Sequence, residues 1–303
     1  MIAGCAKTTL FAQESTYNFL LTDVSARAAA MNGSFVSMKD DPNVLFYNPA
    51  SIGTLSMPKV SVSYVNHLMD VNAGTLSYGQ YIEGIGSVGA GIIYMNYGSF
   101  NRTDELLNVL GTFSAADVAL VAGIAAHYDE NILVGINAKY IYSSLAEYRS
   151  TALAVDLGIL YDIPSQNLSI GGSVLNIGKQ LKTYAGINEP LPLDVKIGIT
   201  KRPEHLPVFL NIDFHRLNES GDKFLDRFSN LTVGAEFLMS KSLRVRVGYN
   251  NKQRKDLKTG TSAGLGGFSL GVGLILNEYQ IDYAYNSYGD FGGIQRFSLG
   301  INL

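Results

Sequence analysis

The clearest shortage in this chain of 303 residues is charge. Asp, Glu, Lys and Arg make up 16% of it and apolar residues 47%, whereas a soluble domain carries about 25% charged residues. Too few ionised side chains are present to coat a soluble protein of this length. Long apolar runs are also missing. Beyond the first dozen positions no stretch of about 18 consecutive apolar residues occurs, which excludes membrane-spanning helices. Basic excess is absent: 23 Lys and Arg stand against 26 Asp and Glu, a net charge of −3. That leaves no positive field to neutralise phosphates and excludes nucleic acid as a partner. The single cysteine, Cys5, cannot form an internal disulfide.

Recognisable reaction chemistry is lacking too. His67, His127, His205 and His215 each fall near an expected strand end or turn, in solvated rim positions. No His-Glu-x-x-His pair occurs. Gly171-Gly172 and Gly264-Leu265-Gly266-Gly267 fall inside expected strands, where glycine permits close packing or a bulge rather than phosphate binding. No catalytic, cofactor-binding or metal-ligating residue is expected, no cofactor is implied, and the chain does not read as an enzyme.

What is present points to strands. An apolar chain without spanning helices is either an unusual soluble β protein or a barrel in lipid. Glycine (32), tyrosine (18) and phenylalanine (14) are plentiful, which suits close-packed strands with aromatic residues near the membrane interfaces. From Lys59 onward the sequence divides into segments of roughly 9 to 14 residues, and a tilted strand needs about 9 to 11 to cross a bilayer. The segments are 59–67, 71–82, 85–97, 115–128, 131–142, 150–162, 166–176, 192–201, 206–214, 229–238, 242–251, 262–276, 278–286 and 294–303. Fourteen is an even number, as a barrel with both ends on one rim requires. Gaps after the even segments are short, such as Glu83-Gly84 and Asp129-Glu130. Those after the odd ones are mostly long: 98–114, 143–149, 177–191, 215–228, 252–261 and 287–293. Transmembrane barrels show this asymmetry of rims, and a soluble sandwich has no reason to.

Alternation supports the same reading. Leu243, Val245, Val247 and Tyr249 share one face of their segment, opposite Arg244, Arg246, Gly248 and Asn250. Tyr279, Ile281, Tyr283 and Tyr285 stand opposite Gln280, Asp282 and Asn286. A charge facing mid-bilayer lipid costs roughly 2–4 kcal/mol, so Arg244, Arg246, Glu236 and Asp282 are expected to face the lumen.

Ahead of the barrel three stretches differ. Residues 1–12 resemble the end of an export signal, with Leu10-Phe11-Ala12 before Gln13 as a cleavage site. Ile2-Ala3-Gly4-Cys5 also has the form of a lipoprotein box, which would acylate Cys5. Residues 13–58 do not alternate. Ser25 to Met31 has helix-forming composition, and Asp41-Pro42-Asn43 and Asn48-Pro49-Ala50 mark turns. Phe19, Leu20, Met31, Phe35, Leu45 and Phe46 need burial, so 13–58 is expected to plug the barrel of 59–303.

Those plug residues also carry a family likeness. Ser25-Ala26-Arg27-Ala28-Ala29 through Met31 and Gly33, Asp40-Asp41-Pro42 and Asn48-Pro49-Ala50 resemble the N-terminal signature of the PorV/PorQ proteins. Ala154 to Gly158, Leu175 to Gly178, and the C-terminal stretch Ile281 to Tyr285 with Tyr288-Gly289-Asp290 and Phe297 to Gly300 resemble the same family. Pro190 to Asp194 and Arg246 to Asn250 lean towards PorQ. These are outer-membrane components of the type IX secretion system of Bacteroidetes, related to the FadL fatty-acid transporters. The resemblance spans essentially the whole mature chain. It implies a FadL-like barrel of 14 antiparallel transmembrane strands, all-β, with its lumen plugged. It further implies a role in secretion and cell-surface attachment of cargo. The implied partners are sortase-like and surface-anchoring subunits, a PorV-like barrel and outer-membrane lipid, met partly through apolar residues of 98–114 such as Leu106, Leu107, Leu110 and Phe113. A FadL-like transporter of a hydrophobic small molecule is the alternative, and it would need an apolar pocket above the plug. Plain porin activity conflicts with a plug.

Overall fold

A computed structural model describes residues 16–184, 186, 188–219, 224–258 and 264–303; the expected signal stretch and Cys5 lie outside them. The alternating segments form fourteen antiparallel strands that close on themselves, β1 pairing with both β2 and β14. The first seven are β1 (Lys59–Asn66), β2 (Asn72–Ile82), β3 (Gly86–Thr103), β4 (Val109–Asp129), β5 (Ile132–Leu145), β6 (Tyr148–Ile163) and β7 (Leu168–Lys182). The rest are β8 (Asp194–Lys201), β9 (Val208–Phe214), β10 (Leu231–Leu238), β11 (Leu243–Asn250), β12 (Phe268–Leu276), β13 (Tyr279–Ser287) and β14 (Gly293–Asn302). Closure leaves no sheet edge within the wall, the condition under which backbone polar groups can cross hydrocarbon.

Register carries the two-faced pattern from strand to strand. Val62 stands opposite Leu76 on one side and Leu299 on the other, and all three turn outward. Ile136 beside Leu157 and Tyr140 beside Leu153 continue the band. Their neighbours Asn137, Lys139 and Asp156 are buried inside, as are Glu236, Arg246 and Asp282. A one-residue slip in any strand would exchange these faces.

The wall is not of even height. Strands β3–β7 run to between 14 and 21 residues, whereas β8–β14 have 7 to 10. Much of what reads as long loop is therefore strand. The stretch 98–114 belongs largely to the β3–β4 hairpin, 143–149 shrinks to a turn at Ala146 and Glu147, and β7 continues to Lys182. Above the membrane both faces meet water, so alternation loses its apolar contrast there. Two further corrections concern 252–267. Asn251–Asp256 form a helix capped by Asn250, and Gly264 to Gly267 lie in a turn before β12, not within it. Gly264 and Gly267 have φ of +51° and +83°, conformations that favour glycine.

Ahead of β1, helix α1 (Ala26–Ala29) is capped by the Ser25 hydroxyl, which accepts from Ala28 N–H. The Asp41-Pro42 and Asn48-Pro49 pairs each open a 3-10 turn, the side chain capping and the proline taking the first helical position. These pieces fill the barrel. Met31, Phe35, Val36, Val44, Leu45 and Ile52 have no exposed surface.

Candidate functional site

Room for the plug is made by the wall. Strand glycines face inward where the plug comes closest. Gly135 meets Pro49 and Ala50, Gly158 meets Asn48, Gly171 and Gly198 meet Val36, Gly234 and Gly248 meet Met31, and Gly271 meets Ala30. A Cβ at Gly135 would come within 2.5 Å of Ala50 N. Close packing is thus the role of Gly171, as expected of a strand glycine.

Polar wall residues then satisfy the plug backbone, which has little regular structure to satisfy itself. Thr75 donates to Val24 O, Asn137 to Leu45 O, Ser173 to Tyr47 O, Asn211 to Ser34 O and Ser269 to Ala30 O, at 2.7–2.9 Å. Asp213 accepts from Val36 N–H at 2.8 Å. Asn48 does double duty, capping Ala50 while donating to Val36 O and Ile159 O, both at 2.9 Å. Unmade bonds of this buried kind cost about 1–3 kcal/mol each, so the set specifies one seated position.

A buried ionic chain completes the seat. Arg27 of α1 reaches Glu236 of β10 at 2.9 Å and Asp41 at 3.1 Å. Glu236 also holds Arg246 of β11 at 2.5 Å, which holds Asp282 of β13 at 2.6 Å. Two guanidinium groups thus face three carboxylates. Luminal charge on Glu236, Arg246 and Asp282 follows from strand alternation. Their plug-side partner Arg27 was missed, because a lone arginine in a short helix carries no signal of what it will meet.

The plug separates two polar vestibules. On the short-turn rim a cavity of about 550 Å³ is lined by Lys39, Lys59, Arg202, Arg244 and Gln280. On the tall rim a cavity of about 440 Å³ is lined by Asp23, Asp194, Lys196, His215, Tyr288 and Arg296. His215 bonds Thr232 Oγ1 at 2.8 Å. Burial, helped by the Lys196 cation, pushes its imidazole down to about 3 against the pull of Asp194. His67 is half-buried beside Tyr288, and burial lowers its pKa as well. His127 and His205 are exposed. Among the described residues no group of His, Cys, Asp and Glu is arranged to hold a metal ion.

Above the plug the lumen is apolar on one side only. Val65, Ile93, Met95, Ala119, Val121 and Ile141 form that wall, in one cluster with Tyr17 and Phe19 of the entering chain. Tyr17 is fully buried and Phe19 2% exposed. The space an apolar ligand needs is filled by the protein's own N-terminal segment. Outside, the β3–β4 hairpin rises beyond the strands beside it, touching the β5–β6 turn through the Arg102–Glu147 pair at 2.7 Å. Pairing with β2 stops at Asn72↔Asn96 and pairing with β5 at Ala115↔Leu145. Beyond them Leu106, Leu107, Val109 and Leu110 are 62–81% exposed, and Phe100 stacks on Phe113 at 5.3 Å.

No family model and no curated protein matches the sequence. Solved structures do share the architecture. The Ralstonia pickettii toluene transporter TbuX superposes with a TM-score of 0.59 at 13% identity, covering 91% of this chain and 96% of that one. The Pseudomonas putida toluene transporter TodX gives 0.56 at 12% identity, with 91% and 96% covered. A Pseudomonas aeruginosa FadL homologue gives 0.54 at 11% identity, with 91% and 97% covered. At such identities the likeness is one of fold: the chain is a closed, FadL-like barrel of fourteen antiparallel strands with an N-terminal plug.

Proposed function

We propose that this protein is a non-enzymatic outer-membrane component of a type IX secretion system, close to PorQ, acting in secretion and surface attachment of cargo through its outer rim. The observation that carries the reading is the closed lumen. The plug is seated by hydrogen bonds from around the wall and by the Arg27–Glu236 ion pair, and the apolar space above it is occupied by Tyr17 and Phe19. Such a barrel serves better as a platform than as a conduit. The exposed apolar tip of the β3–β4 hairpin then has a use, as a contact for sortase-like and surface-anchoring subunits or a PorV-like barrel. The likeness of the plug motifs around Ser25-Ala26-Arg27 and Asn48-Pro49-Ala50 to the PorV/PorQ signature supports the family reading. Affinity isolation of the tagged protein from outer membranes, followed by partner identification, tests it. Co-isolation of secretion and anchoring subunits is expected, and isolation of the barrel alone would overturn the reading.

A second reading is uptake of a hydrophobic small molecule. It is favoured by the solved structures, among them toluene transporters and a monoaromatic hydrocarbon channel. On this reading the segment from Tyr17 to Leu20 moves aside and the apolar wall beneath it receives the ligand. Fold alone is a weak guide to function in a family hosting several. Saturable binding of radiolabelled toluene or palmitate by the purified protein would favour transport, and its absence the platform.

A further inference from the structure

The outer vestibule contains a buried cation that forms no ion pair with any described carboxylate. Arg296 of β14 is 4% exposed and lines the cavity. Its Nη1 donates to Asn286 Oδ1 at 2.5 Å, and its Nε is buried without an acceptor. No carboxylate among the described residues pairs with it. The other cations lining the cavity are matched: Lys196 by Asp194 at 3.2 Å, Lys252 by Asp256 at 2.9 Å and Arg216 by Glu219 at 3.5 Å. The remaining lining carboxylate, Asp23, accepts from the Tyr47 hydroxyl at 3.1 Å and is partly open to water. Arg296 contrasts with Arg246, equally deep in the same barrel, which holds two carboxylates.

A guanidinium removed from water without a counter-charge is strongly disfavoured, and its planar fork fits carboxylate or phosphate oxygens. We propose that the outer vestibule binds a small oxyanion, the carboxylate or phosphate of a solute entering from the tall rim, with Arg296 as its main contact. The cavity's shape and lining select the class. At about 440 Å³ it has room for a molecule of sugar size. Six amide side chains line it against two leucines, which suits a hydroxylated solute and not an acyl chain. Asn286 positions the guanidinium while donating to Ala29 O of the plug at 2.8 Å, so the arginine is held by a residue already fixed in place. The inference rests on neither functional reading above.

Calorimetric titration of the full chain in detergent tests it, with glucuronate and glucose 6-phosphate as probes and glucose as the neutral comparator. Both anions are expected to bind, inorganic phosphate to compete with them, and glucose to give no heat. Arg296→Gln should weaken both anions by roughly tenfold or more, while Arg296→Lys, which keeps charge but loses the fork, should fall between. Heat-modifiable gel migration checks that each variant is folded. A wild-type crystal soaked in selenate gives a second measurement independent of any variant, with an anomalous peak expected beside Arg296. Equal affinity in wild type and Arg296→Gln, no anion binding at millimolar concentration, or a selenate peak elsewhere would overturn the proposal.

Discussion

Glu236 is the residue on which the seated plug most depends, since among the described residues it alone joins Arg27 of the plug to Arg246 of the wall. Glu236→Gln leaves two buried guanidinium groups with less than their full complement of carboxylates. Removing one partner from a buried pair costs roughly 3–5 kcal/mol. The expected result is a barrel that still folds but whose Arg27 becomes open to trypsin, read by mass spectrometry of the purified protein; continued resistance would show that the hydrogen bonds suffice. Gly135→Val should act on the opposite side of the lumen by overpacking against Pro49 and Ala50, at about 1–3 kcal/mol. A lowered heat-modification temperature measures that loss. His215 gives the pH dependence. Because its folded pKa is about 3 and the unfolded value about 6.5, the unfolded chain takes up the proton first. Its contribution is complete above the unfolded value and is lost as pH falls from there towards 3. Between pH 7 and pH 5 the wild type should lose about 1–2 kcal/mol more than His215→Gln in urea titrations. Equal losses would show that His215 does not set this pH dependence.

At the scale of elements, the sequence is legible where lipid bears on it and not elsewhere. Every expected strand exists, and β1, β2, β11 and β14 begin and end within a residue of the alternating segments that predicted them. Inside the membrane an outward polar residue is penalised, so Val62, Leu76 and Leu299 declare their face. In the upper parts of β3 and β4 that penalty vanishes, and Asn101-Arg102-Thr103 reads as loop although it pairs with Val109 to Thr112. The plug is the other limit of what could be read. Its turn starters Asp41-Pro42 and Asn48-Pro49 are plain in the sequence, yet which wall carbonyl or carboxylate each residue meets depends on contacts more than a hundred positions away, as between Asn48 and Ile159. The hairpin yields a prediction of its own. Deleting 104–113 removes the exposed tip without touching a wall-to-wall pairing in the membrane. Assembly and heat-modifiability should be unchanged while co-isolation of partner subunits falls, whereas undiminished co-isolation would assign the contact to another part of the rim.

For the whole molecule, the arrangement of polar and apolar surface is that of a membrane barrel turned around a solid centre: hydrocarbon-facing side chains outside, and a polar inner wall that grips a folded-in segment. Glycines on the strands provide the space, Asn, Ser and Thr the hydrogen bonds, and the Arg27–Glu236–Arg246–Asp282 chain the charge. Two vestibules reach inward from opposite rims and the plug lies between them. By filling the lumen, this centre closes the barrel. Single-channel recording of the purified wild-type protein in planar lipid bilayers tests it most directly. Insertion without steady ion conductance is expected, and a stable ohmic step at each insertion, as an open fourteen-stranded pore would give, would show that the plug leaves the lumen open.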